Sequence, residues 1–348
     1  MLKPGFLLSA ALTMGLGAAG VARADILAGR FGATGTTELN VVSIFGDAMN
    51  GDTAPLALLG GAATTMNTAS SLVYDPAEHT ILIADFYGEK VLVFDAAARL
   101  NTAPLRSFSN VHLGQMREAV PISAHNEYAV LNWRQIGYFP RTASGSVVAL
   151  RLTNSLPNLI NNPNSLIYVP NTDEVAIGDY ADLGGGLSEG EVLFFARLDS
   201  GDVVPTRRIA GALTQLGDGV TSMARDPQSG EIYVLAYQVV AAETVHRLLT
   251  FAANADGNIA PLRSIAGPAT LMDNPTSLSF YVFRNELLVT NAGHGGGIPR
   301  ILGFPRTANG DVAPTRNIGG SNSGVVPGNG WSGVVGVPLE LVFASGFE

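Results

Sequence analysis

The sequence predicts an all-β fold: a six-bladed β-propeller of four-stranded antiparallel blades, closed by a composite blade built from both termini. Three observations carry that expectation. One phrase recurs six times at a spacing of 45–56 residues, and repeats near that length holding four strands each are the sequence form of propeller blades. The 348 residues include 41 Gly and 19 Pro, which suits many short strands joined by many turns. Beyond the first two dozen residues no segment keeps an apolar period of 3.6, so no amphipathic helix is expected.

The elements follow in chain order. Residues 1–24 stand outside the fold: Lys3 gives a positive start, 6–21 is an apolar run, and Ala22-Arg23-Ala24 has the small-x-small pattern of a signal-peptide cleavage site. The run is short for a membrane span of about 20 apolar residues and contains Gly15, Gly17 and Gly20. Export to the periplasm or the cell exterior is therefore expected, with a mature start at Asp25. Residues 25–40, rich in Gly and Thr, read as a lead segment, and 41–348 as one propeller domain.

Short strands ending in Phe then recur at 41–45, 91–94, 136–139, 192–195, 248–251 and 301–304. Each is followed by a small or polar turn and a second strand. The clearest copies are 255–267 (ADGNIAPLRSIAG) and 308–320 (ANGDVAPTRNIGG); 200–211 is a third, 50–61 and 101–109 are recognisable, and 144–152 is the most worn. The Asn-Gly and Asp-Gly pairs at Asn50, Asp256 and Asn309 are turn formers in their own right. Between these phrases lies another hairpin: 71–76 into 80–85, 165–170 into 174–179, 222–227 into 231–236, and 277–282 into 286–291.

Each such sheet has two faces to bury and only neighbouring blades to bury them against, so the ring must close. The phase of the repeat shows how. The chain opens on the outer pair of a blade, 41–45 and 55–60, and ends on what read as inner strands, 333–337 and 340–344. Together these make the composite blade and protect both edges.

Composition narrows the function classes. Only 14% of residues are charged and the net charge is −9, which becomes −11 once Lys3 and Arg23 leave with the signal peptide. An acidic chain repels nucleic acid and anionic lipid, and no later apolar run reaches the length of a membrane span. With no Cys there is no disulfide, thiolate zinc site or thiol nucleophile. No His-Glu-x-x-His zinc helix is present.

Over about residues 41–344 the phrase V-x-x-F … G-D-x-x-P-x-R-x-I-x-G … N-P-x-S-L resembles the NHL-repeat and gluconolactonase-like (senescence-marker-protein-like) propellers. The resemblance implies a fold more than an activity: such families include calcium-dependent lactonases and esterases, and also modules that only bind other molecules. The calcium-dependent lactonases carry an Asn-Gly-Leu-x-Trp-Ser type segment on an inner strand. Here the nearest counterparts are Asn164-Ser165-Leu166 and Thr276-Ser277-Leu278.

In this strand order, loops after the second strand and before the first open on one face around the channel, which sorts the candidates. His79 and His125 fall on hairpin turns of the other face. Second strands end on Asp85, Asn132, Asp179, Tyr237 and Asn291. Oxygens converging from several blades suit Ca²⁺, which takes 6–8 of them, so Asp85, Asn132, Asp179 and Asn291 are the candidate metal set and Ca²⁺ the one cofactor implied. The same residue types also cap backbone groups or hold channel water. Trp133, Arg134, Asp182 and Tyr237 are the candidate ligand contacts. His294, on a Gly-rich loop, is the candidate catalytic base, a role that needs its nitrogen within about 3 Å of the proton; a solvated loop histidine is the alternative, and His112 and His246 are outside candidates for the same role. The leading expectation is recognition of a small molecule or protein partner at the channel face without catalysis. Its rivals are a calcium-dependent lactone or ester hydrolase and a structural envelope repeat protein.

Overall fold

The computed structural model describes residues 24–31, 40–155, 160–294, 297–325 and 330–338. It is a ring of six sheets. From channel to rim, blade 2 holds Ala69–Asp75, Thr80–Asp85, Lys90–Asp95 and Arg106–Ser109. Blade 3 holds Glu118–Ile122, Glu127–Leu131, Gln135–Pro140 and Arg151–Ser155. In blade 4 the order is Ser165–Val169, Glu174–Gly184, Leu187–Ala196 and Arg207–Ile209. Blade 5 runs Gly219–Arg225, Ile232–Val240, Glu243–Phe251 and Arg263–Ile265. Blade 6 runs Pro275–Tyr281, Glu286–Asn291, Arg300–Pro305 and Arg316–Ile318.

Blade 1 is the composite one, with a different division of strands from that expected. The C-terminal part supplies one strand, Gly330–Pro338, and the N-terminal part three, Ala24–Phe31, Val41–Gly46 and Ala57–Gly60. Residues 25–31 thus belong to the ring rather than to a lead segment. The physical reason is local: Ile26, Leu27 and Ala28 are completely buried between blade 1's neighbours, so the Gly and Thr of the later positions mislead when counted over the whole of 25–40. Arg30 on the same strand is buried, donating from Nε to Ser43 Oγ (2.6 Å) and from Nη1 to the Gly324 carbonyl (2.8 Å). The strand expected at 340–344 lies outside the described residues, as do residues 1–23 of the signal peptide expected over 1–24, while Ala24 opens the strand Ala24–Phe31.

The core is six apolar layers, one between each pair of blades. Thr80–Asp85 shows why the alternation of a strand is hidden here: all six residues are buried, Ile81 and Ile83 toward blade 1, Leu82 and Ala84 toward blade 3. Period-2 side chains point to opposite faces, and both faces are interior.

The repeated turn phrase also does more than turn. In each blade the turn between third and fourth strands reaches the rim strand of the preceding blade in parallel pairing, by a short strand at Gly145–Ser146 and Gly201–Val203 and by single bridges elsewhere. Its Asn or Asp then caps a one-turn helix in that preceding blade: Asn101 Oδ1 accepts from Ala63 N (2.7 Å), Asn258 Oδ1 from Leu213 N (2.8 Å), Asp311 Oδ1 from Ala269 N (2.8 Å) and Asp52 Oδ1 from Asn322 N (2.8 Å). The glycine that closes the phrase is required there. Gly267 has φ of 120°, and a Cβ on it would lie 2.4 Å from the Asp311 carboxyl carbon.

Candidate functional site at the channel mouth

The six inner strands begin on the loop face, and their first residues set the chemistry of the channel mouth. Ser70, Asn164, Thr221 and Thr276 stand at equivalent positions of blades 2, 4, 5 and 6, and all line a cavity of about 600 Å³. Blade 3 puts Arg117 at that position. The wall is completed by Phe86 from blade 2 and by Tyr237 and His246, a cross-strand pair on the blade 5 hairpin.

Arg117 is held rather than neutralised. Its guanidinium lies 3.7 Å from the centre of the Trp133 ring, and its Nη atoms donate to Asn164 Oδ1 and, at 2.8 Å, to Asn162 Oδ1. Among the described residues no carboxylate lies within ion-pair distance of it. Burial pulls its pKa down, against the field of Asp179. Trp133 is fixed in turn by Nε1–H to Gln115 Oε1 (2.8 Å) and by an edge contact with Phe86 at 6.0 Å. An arginine stacked on an indole and free of a counter-ion keeps its positive field for an incoming anion. His246 is pushed by burial below the ordinary histidine value, with Asp273 opposing, so its imidazole is neutral at pH 7; its Nδ1 is buried without a hydrogen-bond partner. Burial raises the Tyr237 phenol, helped by Asp218.

One residue further along each inner strand a second ring appears: Ser71, Glu118, Ser165, Ser222 and Ser277 in blades 2 to 6. The ring links neighbouring blades, since Ser222 Oγ accepts from Leu278 N (3.0 Å), Ser165 Oγ from Met223 N (2.9 Å) and Glu118 Oε2 from Leu166 N (2.6 Å). In blades 4 and 5 this is the work of the recurring serine, Ser165 and Ser222.

The expected site residues divide. Trp133 and Tyr237 are at the mouth. Arg134 is exposed, its backbone N–H given to Asn132 Oδ1 (2.9 Å). Asp182 lies exposed on the blade 4 hairpin and accepts from Gly184 N (2.8 Å). His294 is exposed on its loop, with its backbone N–H on Asp273 Oδ2 (3.0 Å), and does not line the cavity. The calcium set caps loops within its own blades. Asp85 accepts the N–H groups of Asn67 (2.9 Å), Thr68 (2.7 Å) and Gly88 (3.0 Å); Asp179 accepts those of Asn161 (2.7 Å), Asn162 (2.8 Å) and Tyr180 (2.8 Å). Asn132 Oδ1 takes two more, and Asn291 Nδ2 donates to the Leu271 carbonyl (2.6 Å). Each of the two carboxylates thus accepts three backbone amides, and among the described residues no three His, Asp or Glu side chains gather.

Arg117, Glu118 and Phe86 are the residues that motif reasoning passed over, and His246 was only an outside candidate. The signal was in the repeat itself: Ser70-Ser71-Leu72, Asn164-Ser165-Leu166, Thr221-Ser222-Met223 and Thr276-Ser277-Leu278 align with Arg117-Glu118-Ala119.

The fold and this asymmetric mouth define the chain as a six-bladed β-propeller. No family model matches it, and no curated protein matches it in sequence. Solved structures do match in shape. A chain of a nidogen–laminin complex superposes with a TM-score of 0.57 at 8% identity, over 90% of this chain and 98% of that one. A proposed 6-phosphogluconolactonase of Bacteroides uniformis gives 0.53 at 12% identity, over 91% and 100%. Another from Bacteroides fragilis gives 0.50 at 11%, over 92% and 99%. Identities this low speak for the fold alone. No helix among the described residues is long and apolar enough to cross a membrane.

Proposed function

We propose that this is an exported binding propeller that holds a small organic anion at its channel mouth without turning it over. The observation that carries the reading is Arg117: a guanidinium without an ion-pair partner, stacked on Trp133 at a cavity of about 600 Å³, in the one blade that breaks the repeat. The hydroxyls and amides of Ser70, Asn164, Thr221 and Thr276 around it suit a polar, hydrogen-bonding ligand body, and Phe86 an apolar edge of it. The test is a panel of small carboxylates and phosphate esters scored by thermal shift of residues 25–348. A shift given by wild type and lost in Arg117→Met is expected; a ligand bound equally well by both removes the reading.

A second reading is supported by His246 and by the lactonase names of two structural neighbours. A neutral, partly buried imidazole in the cavity is suited to act as general base, and a lactone hydrolase would use it with Arg117 holding the developing oxyanion. Lactone or ester turnover abolished by His246→Gln would establish this reading over the first.

A further inference from the structure

Five blades build the inner ring from uncharged residues: Ser71, Ser165, Ser222 and Ser277, with Gly333 on the inner strand of blade 1 packed against Leu72 of blade 2. Blade 3 alone contributes a carboxyl, Glu118. Oε2 of that carboxyl performs the ring's bonding duty, accepting from Ser165 Oγ (2.9 Å) and Leu166 N (2.6 Å). A serine does the same between blades 4 and 5 and between blades 5 and 6, so the closure of the ring does not need a glutamate. The second oxygen, Oε1, has no hydrogen-bond partner among the described residues, and the side chain keeps partial solvent contact although protein surrounds it.

Its surroundings hold no compensating charge. The ring-mates are hydroxyls and a glycine, Leu166 and Ser165 meet it from blade 4, and Arg117 beside it in sequence is turned to Trp133 and Asn162. Burial therefore acts on Glu118 almost unopposed and raises its pKa to about 7, the amide of Leu166 and the hydroxyl of Ser165 resisting. A buried carboxyl without a counter-ion costs stability where serine would not, and groups of that kind concentrate at functional sites.

We infer that Glu118 is a second functional group of the channel site, a carboxyl open to the lumen through Oε1 that exchanges a proton there and hydrogen-bonds the part of the ligand that enters beyond Arg117. In its protonated form Oε1 donates to a ligand oxygen; in its ionised form it accepts from a hydroxyl or an amine. The inference rests on the reading of the channel mouth as the binding site, and it deepens that reading by making occupancy sensitive to pH near neutrality.

The test uses residues 25–348 and needs no ligand. A small water-soluble carbodiimide with glycinamide is applied at pH 6.5, the labelled positions are read by mass spectrometry, and thermal unfolding of wild type, Glu118→Gln and Glu118→Ser is followed from pH 4.5 to 8.5. Labelling at Glu118 is expected. Both variants should match wild type at the acid end and exceed it by a few degrees above pH 7, because the ionised carboxyl is penalised only in the folded state. An unlabelled Glu118, or variants whose melting runs parallel to wild type across the whole range, overturns the inference. Neither result touches the anion test at Arg117, so failure of the two readings can be told apart.

Discussion

The two faces of the ring use the same residue types in opposite ways. On the face of the hairpin turns, Glu and Arg are paired blade after blade: Glu127 with Arg151 (2.7 Å), Glu174 with Arg207 (2.9 Å), Glu231 with Arg263 (2.5 Å), Glu286 with Arg316 (3.0 Å), and Glu78 with Arg106. Further arginines tie blade to blade, Arg197 to Glu127 (3.2 Å), Arg99 to Asp25 (2.8 Å), Arg306 to Asp226 and Arg141 to Asp75. On the loop face Arg208 and Glu191 of blade 4 pair (2.5 Å), but Arg117 and Glu118, adjacent in blade 3, do not pair with each other. Repetition marks what every blade needs in order to stand beside the next. Departure from it, in a ring where any blade could have kept the common residue, marks what the molecule needs only once.

The largest effect should separate the faces directly. Arg316→Met leaves Glu286 buried without its partner, a change that costs about 3–5 kcal/mol when one member of a buried pair is removed. Arg117→Met should cost within about 1 kcal/mol, the scale of a cation–π contact, while abolishing anion binding. Urea unfolding midpoints of the two variants make the comparison, and equal losses would break it. Next comes the turn phrase. Gly267→Ala forces a Cβ onto Asp311 and should cost about 1–3 kcal/mol, whereas Gly257→Ala, at φ of 75° with open space around it, should cost only the left-handed strain of about 1 kcal/mol.

Much of this scaffold was legible beforehand, because the phrase is a contact made six times over. Blade number, strand order and the composite blade follow from its spacing and phase. Two things were hidden. Ala24–Phe31 is not followed by the turn phrase that marks the other strands ending in Phe, and its membership shows through the burial of Ile26, Leu27 and Ala28. The candidate site was hidden for a different reason: Asp85, Asn132 and Asp179 look like ligands in sequence, and only the positions of the loop amides show that each of them caps a loop. Arg117 and Glu118 fit no catalytic motif and stand out only as substitutions in a repeat.

A weaker effect is the response to pH, which should have opposite signs on the two faces. Burial pushes Glu127 and Glu174 up, but the hydrogen bonds and charges of Arg151 and Arg197, and those of Thr172, Thr206 and Arg207, outweigh it and hold both below the ordinary value of 4.5. Their contribution is complete above that value and is lost as pH falls through their lowered pKa. The Glu118 term runs the other way: it is present below 4.5 and lost as pH rises through about 7. Melting temperature against pH should therefore fall at both ends, and Glu118→Gln should make only the upper limb shallower, the rest of that limb belonging to Glu191, which burial also raises to about 7 against Arg208. A variant that flattened the acid limb instead would reverse the assignment. Smallest of all in stability should be Trp133→Leu, within about 1 kcal/mol because the ring is 41% exposed; its mark should be weaker anion binding in titration.

The seam of blade 1 has a consequence in time. Gly330–Pro338 pairs with Ala24–Phe31, joining positions about 300 residues apart, a long loop to close. Gly330–Pro338 follows the other described strands in the sequence, and until it docks Ala24–Phe31 waits with a bare edge. A ring of this design closes only when the stretch that follows the sixth blade has docked on the first. A chain stopped at Val325 should accordingly lack a single cooperative melting transition, however complete its other five blades.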